Sequence, residues 1–415
     1  MIIKKVSLQN YRGFHSLELE LNSQLNVIAG VNGAGKSSLL DCISGLLTKF
    51  VGELTGEKNL KGSFSDADIK NGENLTSNSI EVASSGIDAA WTIHLKKSGK
   101  KARPSASFEN LTVLAEHFQS DLETGKEASI PVLVYYGVNR SVNGVSLERK
   151  KSSSVQDQFS IYDQALLGSH SDFRQFFEWF RDREDFENER IRDNRSFTDL
   201  QLDLVRSAIE KFTGFTHLKV RRETLRLELK KGTEILDVRQ LSEGEKCFLA
   251  LVGDIARRLA IANPGSEKSL EGEGVILIDE IDLHLHPTWQ RIVIPKLVEV
   301  FPNCQFIVTT HSPVVISHVP PKNLFVLFRD ENETQVLRPE ESYGRTADRI
   351  LEDLMDVPAR PPEVEKSIEL LFESIERNSL ENAKQQLSNL REKIDNDPVL
   401  LKAEMLIRSK EFSKR

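Results

Sequence analysis

A glycine-rich segment near the start of the chain has the residue types and spacing that hold phosphate groups. Residues 30–37 read Gly-Val-Asn-Gly-Ala-Gly-Lys-Ser and fit G-x-x-x-x-G-K-[ST] in full, between a strand-like apolar run and a helical pattern. In such a loop the backbone N–H groups surround the β-phosphate, the lysine neutralises phosphate charge and the serine hydroxyl ligates Mg²⁺. We therefore predict a nucleoside triphosphate site formed by Asn32, Gly33, Ala34, Gly35, Lys36, Ser37 and Ser38.

Two adjacent carboxylates, Asp279 and Glu280, follow the apolar run at residues 275–278. A buried parallel strand presents its C-terminal end to the ligand crevice, so both acids should reach the nucleotide. Asp279 suits the Mg²⁺ shell, and Glu280 suits a general base that polarises water for in-line attack on the γ-phosphate. An apolar run followed by acids also describes an ordinary strand end, and the phosphate loop favours the catalytic interpretation.

Residues 241–246, Leu-Ser-Glu-Gly-Glu-Lys, open an apolar helical pattern. Ser242 and Glu245 stand three positions apart and match a capping box, the ordinary interpretation of such a pair. A capped helix N-terminus is also where an anion docks, so capping and anion binding are compatible roles for this segment. Ser242, Gly244 and Glu245 become candidate nucleotide-binding residues through the family resemblance described below.

Another strand pattern, residues 306–308, leads through two threonines to His311. A lone histidine is more often structural, but its order and spacing after the Asp-Glu pair make His311 a candidate catalytic residue. His284 and His286 lie between the two motifs and resemble a metal-binding pair. They lack further clustered ligands, so we expect no zinc site there.

The elements that must position these residues follow an α/β rhythm. The opening residues alternate with period two, and from residue 274 strand and helix patterns alternate, as in a largely parallel sheet. Two helices are expected near 171–190 and 198–213; the first has an aromatic face, and its charged part at 181–195 is expected to be solvated. We predict an α/β fold with a mixed central sheet and a helical insertion at about 155–213.

Beyond residue 340 the pattern becomes helical, with three amphipathic stripes. This division predicts a nucleotide-binding domain at 1–340 and a C-terminal helical module at 341–415 for a partner or for oligomerisation. Packing of the stripes onto the first domain is the alternative.

Composition restricts the function classes. The 415 residues include 55 Lys+Arg and 63 Asp+Glu, a net charge of −8 that disfavours charge-driven coating of nucleic acid. No apolar run is long enough to span a membrane, no signal segment is recognisable, and three scattered cysteines fit no disulfide framework. We expect a cytoplasmic protein without a membrane partner.

Three stretches together resemble the SMC/RecF/OLD-like branch of ABC-type P-loop ATPases over nearly residues 1–340. They are Asn-Tyr-Arg-Gly-Phe at 10–14, the phosphate loop, and Asp-Glu-Ile-Asp-Leu-His-Leu-His-Pro at 279–287. Softer similarity at 131–140, 162–181 and 344–351 is to the PtuA-type ATPase subunits of Septu and retron antiphage systems.

This resemblance implies ATP and Mg²⁺ as ligands and a slow, regulatory ATPase. It implies a homodimer or higher homo-oligomer in which Ser242 and Gly244, as an ABC signature, meet the γ-phosphate held by the opposite subunit. Glu243 departs from the glycine usual at its position. His311 would be the switch histidine and Arg12 would approach the phosphates, although a surface arginine is an equally good interpretation of Arg12. The implied partner is a separate HNH nuclease that ATP-dependent closure would gate.

Several departures from the family pattern bear on function. No Q-loop glutamine is evident, and Asn139, Arg140 and Gln158 are alternative candidates for that role. The chain lacks the long heptads of an SMC arm, and its residues 345–415 are too few and too helical for the Toprim domain of an OLD nuclease. The alternative function is a RecF/SMC-like DNA repair or recombination ATPase that binds DNA directly. A predicted hairpin could supply its basic face: Lys219, Arg221, Arg222, Arg226, Lys230 and Lys231.

Overall fold

The structure is a computed structural model that describes residues 1–57, 64–97, 109–124, 128–139, 157–168, 174–223, 225–330, 333–394 and 397–412. It divides into two compact units, residues 1–346 and 347–415. Arg140 and Phe173, which belong to the patterns above, lie outside the described residues. In the described part of the chain, no helix is long and apolar enough to cross a membrane.

Thirteen strands are described in the first unit. They are β1 (Ile2–Tyr11), β2 (Phe14–Glu20), β3 (Leu25–Gly30), β4 (Leu75–Ser84), β5 (Ile87–Lys96), β6 (Val132–Tyr136), β7 (Thr216–Arg221), β8 (Arg226–Lys231), β9 (Glu234–Asp237), β10 (Gly274–Ile278), β11 (Cys304–Thr310), β12 (Leu324–Asp330) and β13 (Glu333–Leu337).

The described helices of the first unit are α1 (Lys36–Thr55), α2 (Glu109–Glu123), α3 (Arg174–Asp193), α4 (Leu200–Thr213), α5 (Glu243–Ala262), α6 (Pro287–Val300) and α7 (Pro313–Ile316). The second unit contains α8 (Ala347–Met355), α9 (Pro362–Glu376), α10 (Leu380–Arg391) and α11 (Pro398–Phe412).

A six-stranded mixed sheet forms the core of the first unit, in the order β13-β12-β3-β11-β10-β6. All neighbouring pairs are parallel except the edge hairpin of β12 and β13. Every residue of β6, β10 and β11 is buried, as expected for parallel strands covered on both faces. The predicted α/β class and mixed sheet are confirmed, and the carboxyl ends of β3, β10 and β11 meet at one edge.

Two smaller sheets complete this unit. The predicted opening pair, β1 and β2, belongs to an antiparallel sheet of order β2-β1-β4-β5, and β7, β8 and β9 form an antiparallel meander. Helix α1 extends to Thr55, and β4 begins at Leu75. Buried apolar residues such as Leu54 and Ile80 anchor these two elements.

The charged half of α3 differs from the prediction of a solvated face. Glu184 and Glu187 are buried. Arg206 on α4 forms ion pairs with both of them, and Arg222 pairs with Glu184. Because residues distant in the sequence supply these counter-charges, the solvated-face prediction was wrong for this part of the helix.

The second unit has its own apolar core. Helices α9, α10 and α11 contribute Ile368, Leu371, Ile375, Ala383, Leu387, Leu390, Leu400, Ala403 and Ile407. The predicted amphipathic stripes are therefore largely buried against one another within this unit.

Candidate functional site

The phosphate loop connects β3 to α1 and is shaped by close contacts that only glycine allows. A Cβ at Gly30 would lie 2.3 Å from the carbonyl oxygen of Leu327 on β12. Gly35 has φ +102°, and a Cβ there would lie 2.9 Å from the ring of Phe14. Phe14, one of the residues that carry the family resemblance, is buried and supports the loop from below.

Lys36 and the start of α1 surround this loop with hydrogen-bond donors. The Lys36 ammonium donates to the carbonyl oxygens of Gly30 at 2.8 Å and Val31 at 3.1 Å, over the loop. Helix α1 has no side-chain N-cap and no acidic residue in its first turn, so its leading N–H groups suit an external anion. Burial lowers the pKa of Lys36, while the carboxylates of Glu280 and Asp279 oppose that shift.

Those two carboxylates lie at the end of β10, where Asp279 is buried and its N–H donates to the carbonyl oxygen of Tyr136 at 2.8 Å. Glu280 has φ +47°, a left-handed backbone conformation. On the neighbouring β11, the Thr309 hydroxyl donates to Asp279 Oδ1 at 2.5 Å and accepts the Glu280 N–H at 2.7 Å. The site therefore includes a threonine to which the sequence motifs assign no role.

His311 follows the same strand and is 44 % exposed. Its Nδ1 lies 3.4 Å from Oδ2 of the buried Asp282, and the Thr310 hydroxyl donates to Asp282 Oδ1 at 2.5 Å. Asp282 thus orients the histidine at the edge where the strands end. Sequence reasoning did not assign Asp282 a role.

The neighbouring histidines have other surroundings. His286 is the N-cap of α6, and its Nδ1 accepts the Thr288 N–H. His284 has φ +62° in the loop between β10 and α6. Within the described ranges no group of three histidine, cysteine or acidic side chains could hold a metal ion.

The donor set of the site suits Mg²⁺, which prefers hard oxygen ligands. Ser37 supplies a hydroxyl in the first turn of α1, and Asp279 supplies a carboxylate with one oxygen held by Thr309. These residues fit the cation, and no larger all-protein set is needed because Mg²⁺ is usually held by few protein ligands together with phosphates and water.

The Leu-Ser-Glu-Gly-Glu segment forms the start of α5, as the capping pattern predicted. The Ser242 hydroxyl accepts the Glu245 N–H, and the Glu245 carboxylate accepts the Ser242 N–H. Ser242 is exposed, whereas Gly244 is buried: a Cβ there would lie 2.6 Å from the carbonyl oxygen of His284. No hydrogen bond described in the structure joins this segment to the phosphate loop of its own chain.

Arg12 lies beside the first turns of α1 and is held by two carboxylates. Its guanidinium donates to Asp41 at 2.5 Å and to Asp68 at 2.8 Å, with the Ser38 hydroxyl at 3.5 Å. Its position next to Ser38 keeps it near the loop, and its approach to a phosphate stays a prediction.

Of the Q-loop alternatives, Gln158 is committed elsewhere. Its side-chain amide donates to the carbonyl oxygens of Ala128 and Ala262. Ala128 precedes the start of β6, the end remote from Asp279, so Gln158 does not reach the site. Asn139 is exposed shortly after the carboxyl end of β6.

The basic hairpin of the alternative DNA-binding function is largely paired with acids of the same chain. Arg222 contacts Glu184 and Asp185, and Lys231 contacts Glu245. Arg221 pairs with Glu228, and Arg226 with Asp237. This pairing reduces the positive charge that the hairpin could offer to a phosphate backbone.

The fold and the site define a P-loop ATPase of the α/β class. The family model described as "AAA domain, putative AbiEii toxin, Type IV TA system" matches residues 25–317, most of the chain. The chain belongs to this ATPase family.

Relatives with similar sequences are named for retron and Septu systems. The chain is 31 % identical to "Retron Ec83 probable ATPase" of Escherichia coli, over 89 % of this chain and 79 % of that one. It is 26 % identical to "Septu protein PtuA" of Bacillus thuringiensis, over 86 % and 84 %. The SMC head domain from Thermotoga maritima overlays 82 % of this chain and 100 % of that one, at 16 % identity and a TM-score of 0.46.

Proposed function

We propose that this ATPase is the regulatory subunit of an antiphage defence complex, in which ATP-dependent closure of two copies gates a separate HNH-type nuclease. The observation that carries the proposal is the similarity to retron and Septu proteins over more than four fifths of the chain. Motifs in isolation would fit many P-loop ATPases, whereas similarity of this extent includes the segments outside the nucleotide site.

In the proposed hydrolysis each residue has one task. Lys36 binds the β- and γ-phosphates, and Ser37 and Asp279 hold the cation, which when bound neutralises the charge that develops on the phosphates. Glu280 accepts a proton from the attacking water, and His311, oriented by Asp282, donates a hydrogen bond to the γ-phosphate. Together these groups perform ATP + H2O to ADP + phosphate.

Closure of two copies is supported by the start of α5. Ser242 and Glu243 are exposed at the N-terminus of α5, yet no described hydrogen bond joins them to their own phosphate loop. A second copy would supply the triphosphate that this helix end meets.

The test combines a hydrolysis block with a surface change. Glu280→Gln should bind ATP, hydrolyse it about 10²- to 10⁴-fold more slowly and accumulate dimers in light scattering. Adding Glu243→Trp should abolish those dimers, because the large side chain would occupy the surface that the second copy contacts in this proposal. Glu243 is 62 % exposed, so a single copy should tolerate the added bulk. Glu271→Trp, another exposed acid of the same unit, is the matched control.

Two results would contradict the proposal. If the Glu280→Gln variant stays monomeric both with and without ATP, closure of two copies is not part of the mechanism. The gating role fails if the neighbouring gene encodes no nuclease, or if a co-expressed nuclease neither co-purifies with this chain nor responds to the Glu280→Gln substitution.

A further inference from the structure

Thr309 contacts both acidic residues of the site, the Asp279 carboxylate and the Glu280 backbone. Its hydroxyl is fully buried, donates to Asp279 Oδ1 at 2.5 Å and accepts the backbone N–H of Glu280 at 2.7 Å. A hydroxyl has one proton to donate and can accept as well, so one group satisfies both bonds. The register of the sheet pairs Ile278 with Val308, which brings Thr309 level with Asp279.

The backbone at Glu280 needs such a restraint. With φ +47° the backbone of Glu280 is in a left-handed region that residues other than glycine rarely adopt. The Thr309 hydroxyl holds the Glu280 N–H, and the Thr309 carbonyl oxygen accepts the N–H of Ile281 at 2.9 Å. Both bonds hold the backbone on either side of Glu280, just after the end of β10.

We propose that Thr309 is a positioning residue for ATP hydrolysis, which aims the Glu280 carboxylate and leaves Asp279 Oδ2 for the cation. The inference rests on the roles proposed above for Asp279 and Glu280. It assigns Thr309 an effect on Mg²⁺ and on the chemical step that a buried threonine elsewhere in the fold would not have.

A matched residue separates positioning from ordinary packing. Thr76 on β4 is also a buried strand threonine whose hydroxyl makes two bonds, to the carbonyl oxygen of Gln9 at 2.9 Å and from the Asn78 amide at 3.0 Å. It belongs to a different sheet. Thr309→Val and Thr76→Val therefore remove the same functional group from comparable surroundings, and only the first lies at the site.

The experiment measures nucleotide binding with and without Mg²⁺, kcat, KM and the melting temperature. Outer-shell substitutions typically reduce metal affinity or activity 10- to 100-fold. Thr309→Val should therefore raise the half-saturating Mg²⁺ concentration for ATP binding and lower kcat by about that factor each. Binding of ATP in EDTA should stay within about threefold, and Thr309→Ser should restore both properties. Thr76→Val should lower only the melting temperature.

Equal kcat and Mg²⁺ dependence in Thr309→Val and wild type would overturn the inference, as would an equal loss in Thr76→Val. If Thr309→Val does not fold, Thr309→Ser and Thr309→Ala still decide, since Thr309→Ser must keep a kcat near that of wild type and Thr309→Ala must lose about 10- to 100-fold. Failure of the assumed base role shows separately, because Glu280→Gln would then hydrolyse ATP at the wild-type rate.

Discussion

At the residue scale, Lys36 places a positive charge against the backbone of the phosphate loop. Its ammonium is nearly buried and held by two loop carbonyl oxygens, and burial lowers its pKa. Phosphate oxygens offer stronger, charge-assisted bonds than neutral carbonyls do. The lysine is thus held close to the place where it would bind a triphosphate.

We predict that Lys36→Ala weakens ATP binding roughly 10- to 100-fold, because a hydrogen bond to a charged group contributes about 1.5–3 kcal/mol. The melting temperature should change little, since the loop keeps its glycine contacts. Isothermal titration with a non-hydrolysable ATP analogue measures the loss. Lys70→Ala, which removes another lysine that donates to a backbone carbonyl oxygen, is the control; equal affinities in the two variants would contradict the assignment.

Residue types alone predicted the loop, the Asp279-Glu280 pair and His311, because these motifs are contiguous in the sequence. Their supporting groups were not predictable in this way. Thr309 and Asp282 act through the pairing of β10 with β11, and a shift in that register would move Thr309 away from Asp279. The threonines before His311 were visible, but their bonding required the sheet.

At the element scale, α5 joins the exposed signature segment to the core. Gly244 packs on the carbonyl oxygen of His284 within one chain, so a Gly244→Asp substitution would displace that loop whether or not a second copy binds. It therefore cannot separate a role in closure from a role in folding. Glu243, which points to solvent, is the better position for that test.

Farther along α5, Asp254 accepts hydrogen bonds from Arg257, Arg258 and the Tyr136 hydroxyl, all buried. Burial by itself would raise the pKa of Asp254, but the two arginines outweigh it and hold that pKa well below its usual range. Because the pKa is lower in the folded chain than in the unfolded one, the carboxylate stabilises the fold above about pH 4 and loses this effect only in stronger acid.

We predict that Asp254→Asn lowers the free energy of unfolding by about 3–5 kcal/mol, because it leaves two buried guanidinium groups without their counter-charge. Denaturant titration measures the change. Asp203→Asn is the matched control: Asp203 also pairs with an arginine three residues later on a helix, but it is 46 % exposed and should cost less than about 1 kcal/mol. Similar values for the two variants would show that the Asp254 pairing contributes little.

Periodicity predicted most of the elements, and it failed where the environment of a charge decides. The acids in the second half of α3 looked like a solvated face because arginines alternate with them in the sequence. Two of these acids are buried because Arg206 and Arg222 reach them from α4 and the β7–β8 turn. Long-range pairing of this kind leaves no local signal.

At the scale of the whole molecule, the two units have separate cores. The tail stripes that suggested a docking face are mostly buried between α9, α10 and α11, so their apolar character is explained inside the second unit. Leu401, Met405 and Phe412 on α11 remain exposed. A role for this unit in partner binding or oligomerisation is a proposal, and nucleotide chemistry makes no demand on it because the proposed site residues all precede residue 347.

We therefore predict that a chain ending at residue 346 binds ATP with unchanged affinity, because the six-stranded sheet and every proposed ligand of the nucleotide lie in the first unit. If the second unit holds the nuclease or builds a larger assembly, the shortened chain should lose co-purification with the nuclease or give a smaller mass by light scattering. Substituting Met405 and Phe412 by serine in the full chain is the control, since it alters the exposed α11 face without removing the buried core. A shortened chain that still forms the full complex would show that the second unit is not needed for partner binding or assembly. A loss of ATP binding would show that the first unit depends on the second.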